Sequence, residues 1–129
     1  MRHAMLLAAS FILLTGAPAR AQNAAEGEKV FAVCRACHQI GPTAKTGVGP
    51  VLNGVIGRKA GTYTGYNYSA ANKNSDLTWD EATLEVYLEN PQKMVKGTKM
   101  TFAGVKDPQK VKDLIAFLKQ FKSDGTKAQ

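Results

Sequence analysis

The stretch Cys34-Arg35-Ala36-Cys37-His38-Gln39-Ile40, CRACHQI, holds both cysteines of a 129-residue chain and one of its two histidines. Three chemistries use such a cluster. Two thiols at this spacing form a redox disulfide; with a histidine they enter a zinc site; or, as C-x-x-C-H, they carry haem covalently. A redox pair needs no adjacent imidazole and usually ends a strand of a βαβ unit, and no such unit is legible here. Zinc needs four protein ligands, or three and a water. The other histidine is His3, there is no third cysteine, and no carboxylate lies close by in sequence. Haem attachment accounts for every letter: both thiols add to vinyl groups as thioethers, and the neighbouring imidazole lies beneath the iron.

The start of the chain sets the compartment. Arg2 and His3 precede an apolar run, Ala4 to Leu14, and then Thr15-Gly16-Ala17-Pro18-Ala19-Arg20-Ala21. A basic head, a short apolar run and small residues describe a secretory signal peptide. The run is shorter than the ~18 residues that span a bilayer. Ala19-Arg20-Ala21 favours cleavage after Ala21, with Ala17-Pro18-Ala19 as second choice. The expected organisation is a signal peptide over residues 1–21 and one domain over 22–129. The expected location is the periplasm, an oxidising compartment.

A 44% hydrophobic content suits a globular protein. Of 17 basic residues, cleavage removes Arg2 and Arg20 and none of the 10 acidic ones, so the formal charge falls from +7 to +5. No aromatic-basic stripe or known motif points to nucleic acid, and nothing resembles a phosphate loop or a nucleophilic triad.

A filled sixth iron position favours electron transfer; an open one favours gas or peroxide chemistry. No second histidine follows His38, which leaves methionine or lysine. Met94, just past Pro91, suits a short helix and an apolar core role. Met100 sits between Gly97-Thr98-Lys99 and Thr101-Phe102 in a loop that gives it no evident packing role. A soft thioether suits haem iron and raises its potential.

Helical periodicity is clear in three places. An early helix reads from about Ala24 to Ala36, with Val30, Phe31 and Cys34 on one side. A second starts at Thr78-Trp79-Asp80-Glu81, read as a capping box, and ends before Pro91. A last one starts at Asp107-Pro108 and carries Val111, Leu114, Ile115 and Leu118 at i, i+3, i+4, i+7. The tail Ser123–Gln129 reads as frayed. Between the first two helices, Gly41 to Ser69 is glycine-rich and without a convincing strand. Such a loop normally counts against a compact domain, unless it wraps a large, flat, apolar group.

In this order the chain resembles a class I cytochrome c of the bacterial cytochrome c2 kind, close to mitochondrial cytochrome c. The likeness runs through Cys34–His38, Gly49-Pro50, Gly57-Arg58-Lys59-Ala60-Gly61, Tyr68, Ala71-Asn72-Lys73-Asn74, Trp79, Tyr87-Leu88-Glu89-Asn90-Pro91, Gly97-Thr98-Lys99-Met100, Phe102-Ala103-Gly104 and Asp113–Leu118. It implies an all-α fold of about four to five helices, with long glycine-rich loops around one covalent haem c. It implies His38 and Met100 as axial ligands and Cys34 and Cys37 as the thioether pair. The Pro50 carbonyl would hold the free nitrogen of His38. Arg58, Tyr68 and Trp79 would surround a haem propionate, and Asn72, Tyr87 and Thr98 would form a polar network beside Met100.

The resemblance also implies a soluble, monomeric electron carrier, not an enzyme, with no small-molecule substrate. Electrons would come from a quinol-oxidising bc-type complex and pass to an oxidase or a photosynthetic reaction centre. Lys93, Lys96, Lys99 and Lys106 would dock acidic faces of these partners. The rival function is a small haem enzyme or gas-binding protein with a labile Met100. Departures from the mitochondrial pattern are Met94 for an aromatic residue, Lys96 for a proline before Gly97, and Val33 and Gln92 where lysines are usual. Losing that proline should loosen the methionine loop.

Overall fold

A computed structural model describes residues 21–128. The signal peptide expected over residues 1–21 therefore lies, but for Ala21, outside the described residues. Five helices follow in order: α1 Ala24–Phe31, α2 Ala70–Lys73, α3 Glu81–Glu89, α4 Pro91–Met94 and α5 Pro108–Lys119, with a 3-10 turn at Cys34–Ala36 after α1. Among the described residues pairing outside helices is limited to two isolated bridges, Lys59 with Thr78 and Phe121 with Lys127. The mostly α-helical expectation holds.

The frame is the crossing of the first and last helices. Asn23 caps α1, its side chain accepting from the N–H groups of Ala25 and Glu26. Its own N–H donates to Asp113 Oδ1 at 2.8 Å, across to α5. Gly27 lies where the two backbones meet: a Cβ there would stand 1.8 Å from the Asp113 carbonyl oxygen. That approach brings the Phe31 and Phe117 rings to 5.1 Å between centroids, a spacing at which aromatic pairs add to simple area burial. Phe31, Leu114, Ile115 and Phe117 are sealed from solvent.

Asp107 caps α5, accepting from the N–H groups of Gln109 and Lys110, with Pro108 in the first turn, as the sequence suggests. Asp107→Ala should cost about 1 kcal/mol, read as a lower denaturant midpoint with an unchanged slope.

Three sequence expectations need correction. The first helix does not run to Ala36; α-geometry ends at Phe31, and a 3-10 turn carries Cys34 to Ala36. The reason lies in the cysteines. A 3-10 turn eclipses side chains three residues apart, so Cys34 and Cys37 project from the same side, which a continuing α-helix would not give as closely. Both Cys37 and His38 donate their N–H groups to the Cys34 carbonyl, at 3.1 and 2.9 Å.

Thr78 does not cap α3. Asp80 does, accepting from the Thr83 N–H at 2.7 Å. Thr78 is held instead in the bridge to Lys59, flanked by Ala60 N–H to Leu77 O at 2.8 Å and Trp79 N–H to Arg58 O at 2.9 Å. This pairing sets Arg58 beside Trp79. The tail is not frayed either: it turns back at Gly125 and pairs across Phe121 and Lys127.

Candidate cofactor site

The expected site residues converge on one cleft of about 320 Å³, within the ~300–1,000 Å³ of small-molecule and cofactor sites. Its walls are apolar, with Phe31, Leu52, Leu84, Leu88, Leu114 and Leu118 from α1, α3, α5 and the glycine-rich loop. Polar groups enter in three clusters.

The first is the cysteine turn. Cys34 and Cys37 are unpaired, Cys34 half-buried and Cys37 exposed. Burial pushes the Cys34 thiol up to about 11, against a weaker opposing pull from Arg35. It is therefore a neutral thiol, unlike the activated thiolate of a redox pair. Burial also lowers the His38 pKa, and the Pro50 hydrogen bond only partly opposes this. The ring is neutral at pH 7, and Nδ1 lies 2.7 Å from the Pro50 carbonyl oxygen. A carbonyl can only accept, so Nδ1 carries the proton and Nε2 keeps a lone pair. Gly49 makes room for this ring: a Cβ there would lie 2.5 Å from Cε1. Among the described residues no cluster of three or more His, Cys, Asp or Glu is placed to hold a metal ion.

The second cluster is Arg58, Tyr68 and Trp79, all lining the cleft. Arg58 donates to the carbonyls of Val51 at 3.1 Å and Asn53 at 3.4 Å, and its guanidinium sits 5.0 Å from the Tyr63 ring centre. Burial pulls its pKa down. Among the described residues it has no carboxylate partner, although such a partly buried cation calls for one. Burial raises the Tyr68 pKa, with Arg58 opposing; the Tyr68 hydroxyl oxygen accepts from the Tyr63 N–H at 3.3 Å.

The third cluster surrounds Met100, in the loop after α4. The Tyr87 hydroxyl donates to its sulfur at 3.2 Å, and the Met100 N–H donates to Thr98 Oγ1 at 3.1 Å. Tyr87 is buried, which pushes its pKa up to about 12. Asn72, from α2, lines the same cleft, and its buried Oδ1 has no partner. Met94 packs against the core and does not line the cleft.

The donor set thus fits a flat apolar macrocycle with a metal centre and a carboxylate edge. Two thiols stand at its margin, an imidazole lone pair and a thioether are available to a metal, a lone guanidinium awaits an anion, and an amide is unpaired. Of the lysines, Lys99 lines the cleft and its Nζ donates to the Asn67 carbonyl at 2.6 Å, across to the glycine-rich loop. Lys93 and Lys96 are exposed in α4 and just after it. Lys106 stands apart, bonded to the Glu89 carbonyl at 2.5 Å beside a separate groove between α3 and α5.

Sequence reasoning missed three contributors. Asn53 is buried and bonds both the N–H and the carbonyl of Gly41, at 2.8 and 2.9 Å; an Asn-Gly pair in a glycine-rich loop offers only a turn signal. Gly49 was legible as part of a motif but not as space for the His38 ring. Tyr66 lines the cleft and packs edge-on to Tyr68 at 4.7 Å; the crowding of Tyr63, Tyr66 and Tyr68 into a glycine-rich loop was its signal.

Known proteins agree with this geometry. The sequence model of the family described as Cytochrome c matches residues 24–122. Cytochrome c2 of Blastochloris viridis is 60% identical over 111 residues, 86% of this chain and 87% of that protein. Cytochrome c2 of Rhodomicrobium vannielii is 64% identical over 93 residues, 72% of this chain and 74% of that protein. Among solved structures, cytochrome cH from Methylobacterium extorquens superposes with a TM-score of 0.71 at 55% identity, covering 75% of this chain and 97% of that one. With the cysteine pair at its covalent spacing in a cleft shaped for a flat macrocycle, the chain belongs to the cytochrome c family, electron carriers that hold one covalent haem c.

Proposed function

We propose that the chain is a periplasmic carrier of the cytochrome c2 kind, with residues 1–21 as its cleaved export signal and 22–129 as the working domain. The observation that carries this reading is that His38 and Met100, from separate loops, line the same cleft as Cys34 and Cys37. The haem supplies a one-electron Fe(II)/Fe(III) couple, and the chain makes or breaks no bond in a substrate. Cys34 and Cys37 would hold the macrocycle, and His38 Nε2 and Met100 Sδ would bind its iron. The Pro50 carbonyl fixes the ring of His38 and raises its basicity. Arg58, with Tyr68 and Trp79 beside it, receives a propionate. Asn72, Tyr87 and Thr98 hold the polar side of the thioether.

The Tyr87 hydroxyl engages one sulfur lone pair and leaves the other for iron. It draws density from the thioether and so disfavours the ferric state. Tyr87→Phe should lower the reduction potential while keeping the low-spin spectrum. An unchanged potential in a voltammetric titration would remove Tyr87 from this role.

Lys93, Lys96 and Lys99 supply the docking charge near the methionine loop, with Lys106 at the flank. Their partners are the acidic faces of membrane-bound redox complexes: a quinol-oxidising bc-type complex as donor, and an oxidase or reaction centre as acceptor. Such steering weakens with salt. Lys93→Glu with Lys96→Glu should slow reduction by a bc-type complex at low ionic strength and flatten the salt dependence. Equal rates for variant and wild type across salt would place docking elsewhere.

The deciding experiment is the visible spectrum of exported, haem-loaded protein: oxidised, reduced, and reduced under carbon monoxide. A low-spin reduced spectrum, an iron–thioether band when oxidised and no response to carbon monoxide support the carrier. A high-spin spectrum or a rapid response to carbon monoxide overturns it in favour of a haem enzyme or gas binder.

A further inference from the structure

The residues after Lys122 lie beyond the family match, which ends at 122. They are nonetheless built into the fold. The Lys122 N–H donates to the Thr126 carbonyl at 2.9 Å and the Ala128 N–H to the Gln120 carbonyl at 2.8 Å. Asp124 accepts from both the N–H and the hydroxyl of Thr126, at 2.9 and 2.7 Å. This small hairpin presses on the glycine-rich loop through residues without side chains. Gly125 is buried at φ +83°, and a Cβ there would lie 2.2 Å from the Gly41 carbonyl oxygen and 2.7 Å from Asn53 Nδ2. A Cβ on Gly54 would likewise stand 2.9 Å from the backbone of Ser123.

What the hairpin touches is the scaffold of His38. Residues 37–41 and 49–54 run alongside each other. Gly49 donates to the Cys37 carbonyl at 2.8 Å and Leu52 to the Gln39 carbonyl at 3.0 Å. Asn53 and Gly41 exchange their two bonds at the far end. The His38–Pro50 bond of 2.7 Å lies inside this run. Beyond it, the Gly54 N–H donates to the Phe121 carbonyl at 3.2 Å.

We propose that the C-terminal hairpin, residues 123–128, is a clamp that positions His38. By fixing Gly41 and Asn53 it fixes the register of the two segments, and so keeps the Pro50 carbonyl on His38 Nδ1. The mechanical part stands on the contacts alone; the electronic part rests on His38 as an iron ligand. The Pro50 bond makes the imidazole more basic and favours Fe(III). Releasing the clamp weakens that bond and raises the reduction potential.

The test compares haem-loaded wild type with a chain ending at Lys122 and with Gly125→Val, which keeps the full backbone but places a side chain against the Gly41 carbonyl. Amide hydrogen exchange at Gly41, Leu52 and Gly54 should quicken by about tenfold or more, a local opening. The potential should rise, with exchange in α3 and α5 as in wild type. Unchanged exchange at these three amides overturns the clamp. Acceleration that extends equally through α3 and α5 overturns it too, since the hairpin then only stabilises the fold. Faster local exchange with an unmoved potential overturns its action on His38. A wild-type spectrum without a low-spin histidine ligand would instead defeat the ligand assignment, and the exchange result would still decide the mechanical claim.

Discussion

Replacing Met100 by alanine should convert a low-spin, six-coordinate haem protein into one that binds carbon monoxide within the mixing time. It should also drop the reduction potential by on the order of 0.2 V, within the ~0.8 V that axial ligation commands. The cleft limits the supply of iron ligands. Among described side chains lining the cleft, the soft donor other than the cysteine thiols is Met100, and a thioether favours the ferrous state. Met94 is the control. It packs against the core outside the cleft, so Met94→Ala should cost about 2–3 kcal/mol of stability and leave the spectrum alone. If Met100→Ala stays low-spin and refuses carbon monoxide, a nearby amine has taken the position. Lys99 is the first to exchange for alanine in that background, since it already lines the cleft. If wild type and Met100→Ala are indistinguishable, Met100 is not the ligand.

The site was more legible than the fold. C-x-x-C-H carries its chemistry in consecutive residues, and a lone methionine in a polar loop stands out against a core methionine, so the candidate ligands came from local sequence. Arg58 was legible for a related reason: it is an arginine amid lysines, and the structure gives it partial burial without a counter-ion among the described residues. What escaped depended on the third dimension. The 3-10 turn at Cys34–Ala36 breaks a pattern that is helical by periodicity, because the cysteines must share a face. Thr78 satisfies a capping rule in sequence, but its backbone is engaged by Lys59, and Asp80 caps instead. Asn53 and Gly125 are 72 residues apart on either side of α2–α5, and neither carries a local signal for meeting the other. The polar tail with its one glycine, Gly125, reads as loose because composition does not reveal that a missing side chain is what lets a backbone approach.

Gly27→Ala should be among the most destabilising single-methyl additions in the chain. Two effects oppose each other. Alanine is the better helix former by about 1 kcal/mol, and Gly27 lies within α1. Against that, the new Cβ would sit 1.8 Å from the Asp113 carbonyl oxygen and 2.9 Å from the Phe117 Cβ. Two of the contacted atoms are the Asp113 carbonyl carbon and oxygen, so no rotamer change relieves the overlap; α1 and α5 must separate. Close-packed cores do not absorb such shifts locally, and overpacking costs about 1–3 kcal/mol, occasionally more. The clash wins: a cost at the top of that range, less the ~1 kcal/mol of helix propensity, leaves a net loss of about 2 kcal/mol. That is a large share of the ~5–15 kcal/mol that holds a domain, and it should lower Tm by roughly 10 °C. The loss should also reach the cleft, because Phe31, Leu114 and Leu118 form its walls from the same two helices. Separation of α1 from α5 therefore loosens the haem pocket as it weakens the fold. Ala25→Gly, on the exposed face of α1, is the matched control and should cost only the ~1 kcal/mol of helix propensity. A Gly27→Ala protein that melts within a degree or two of wild type would show that the helices have room at the crossing, and the frame of the fold would then rest on the aromatic contact between Phe31 and Phe117 instead.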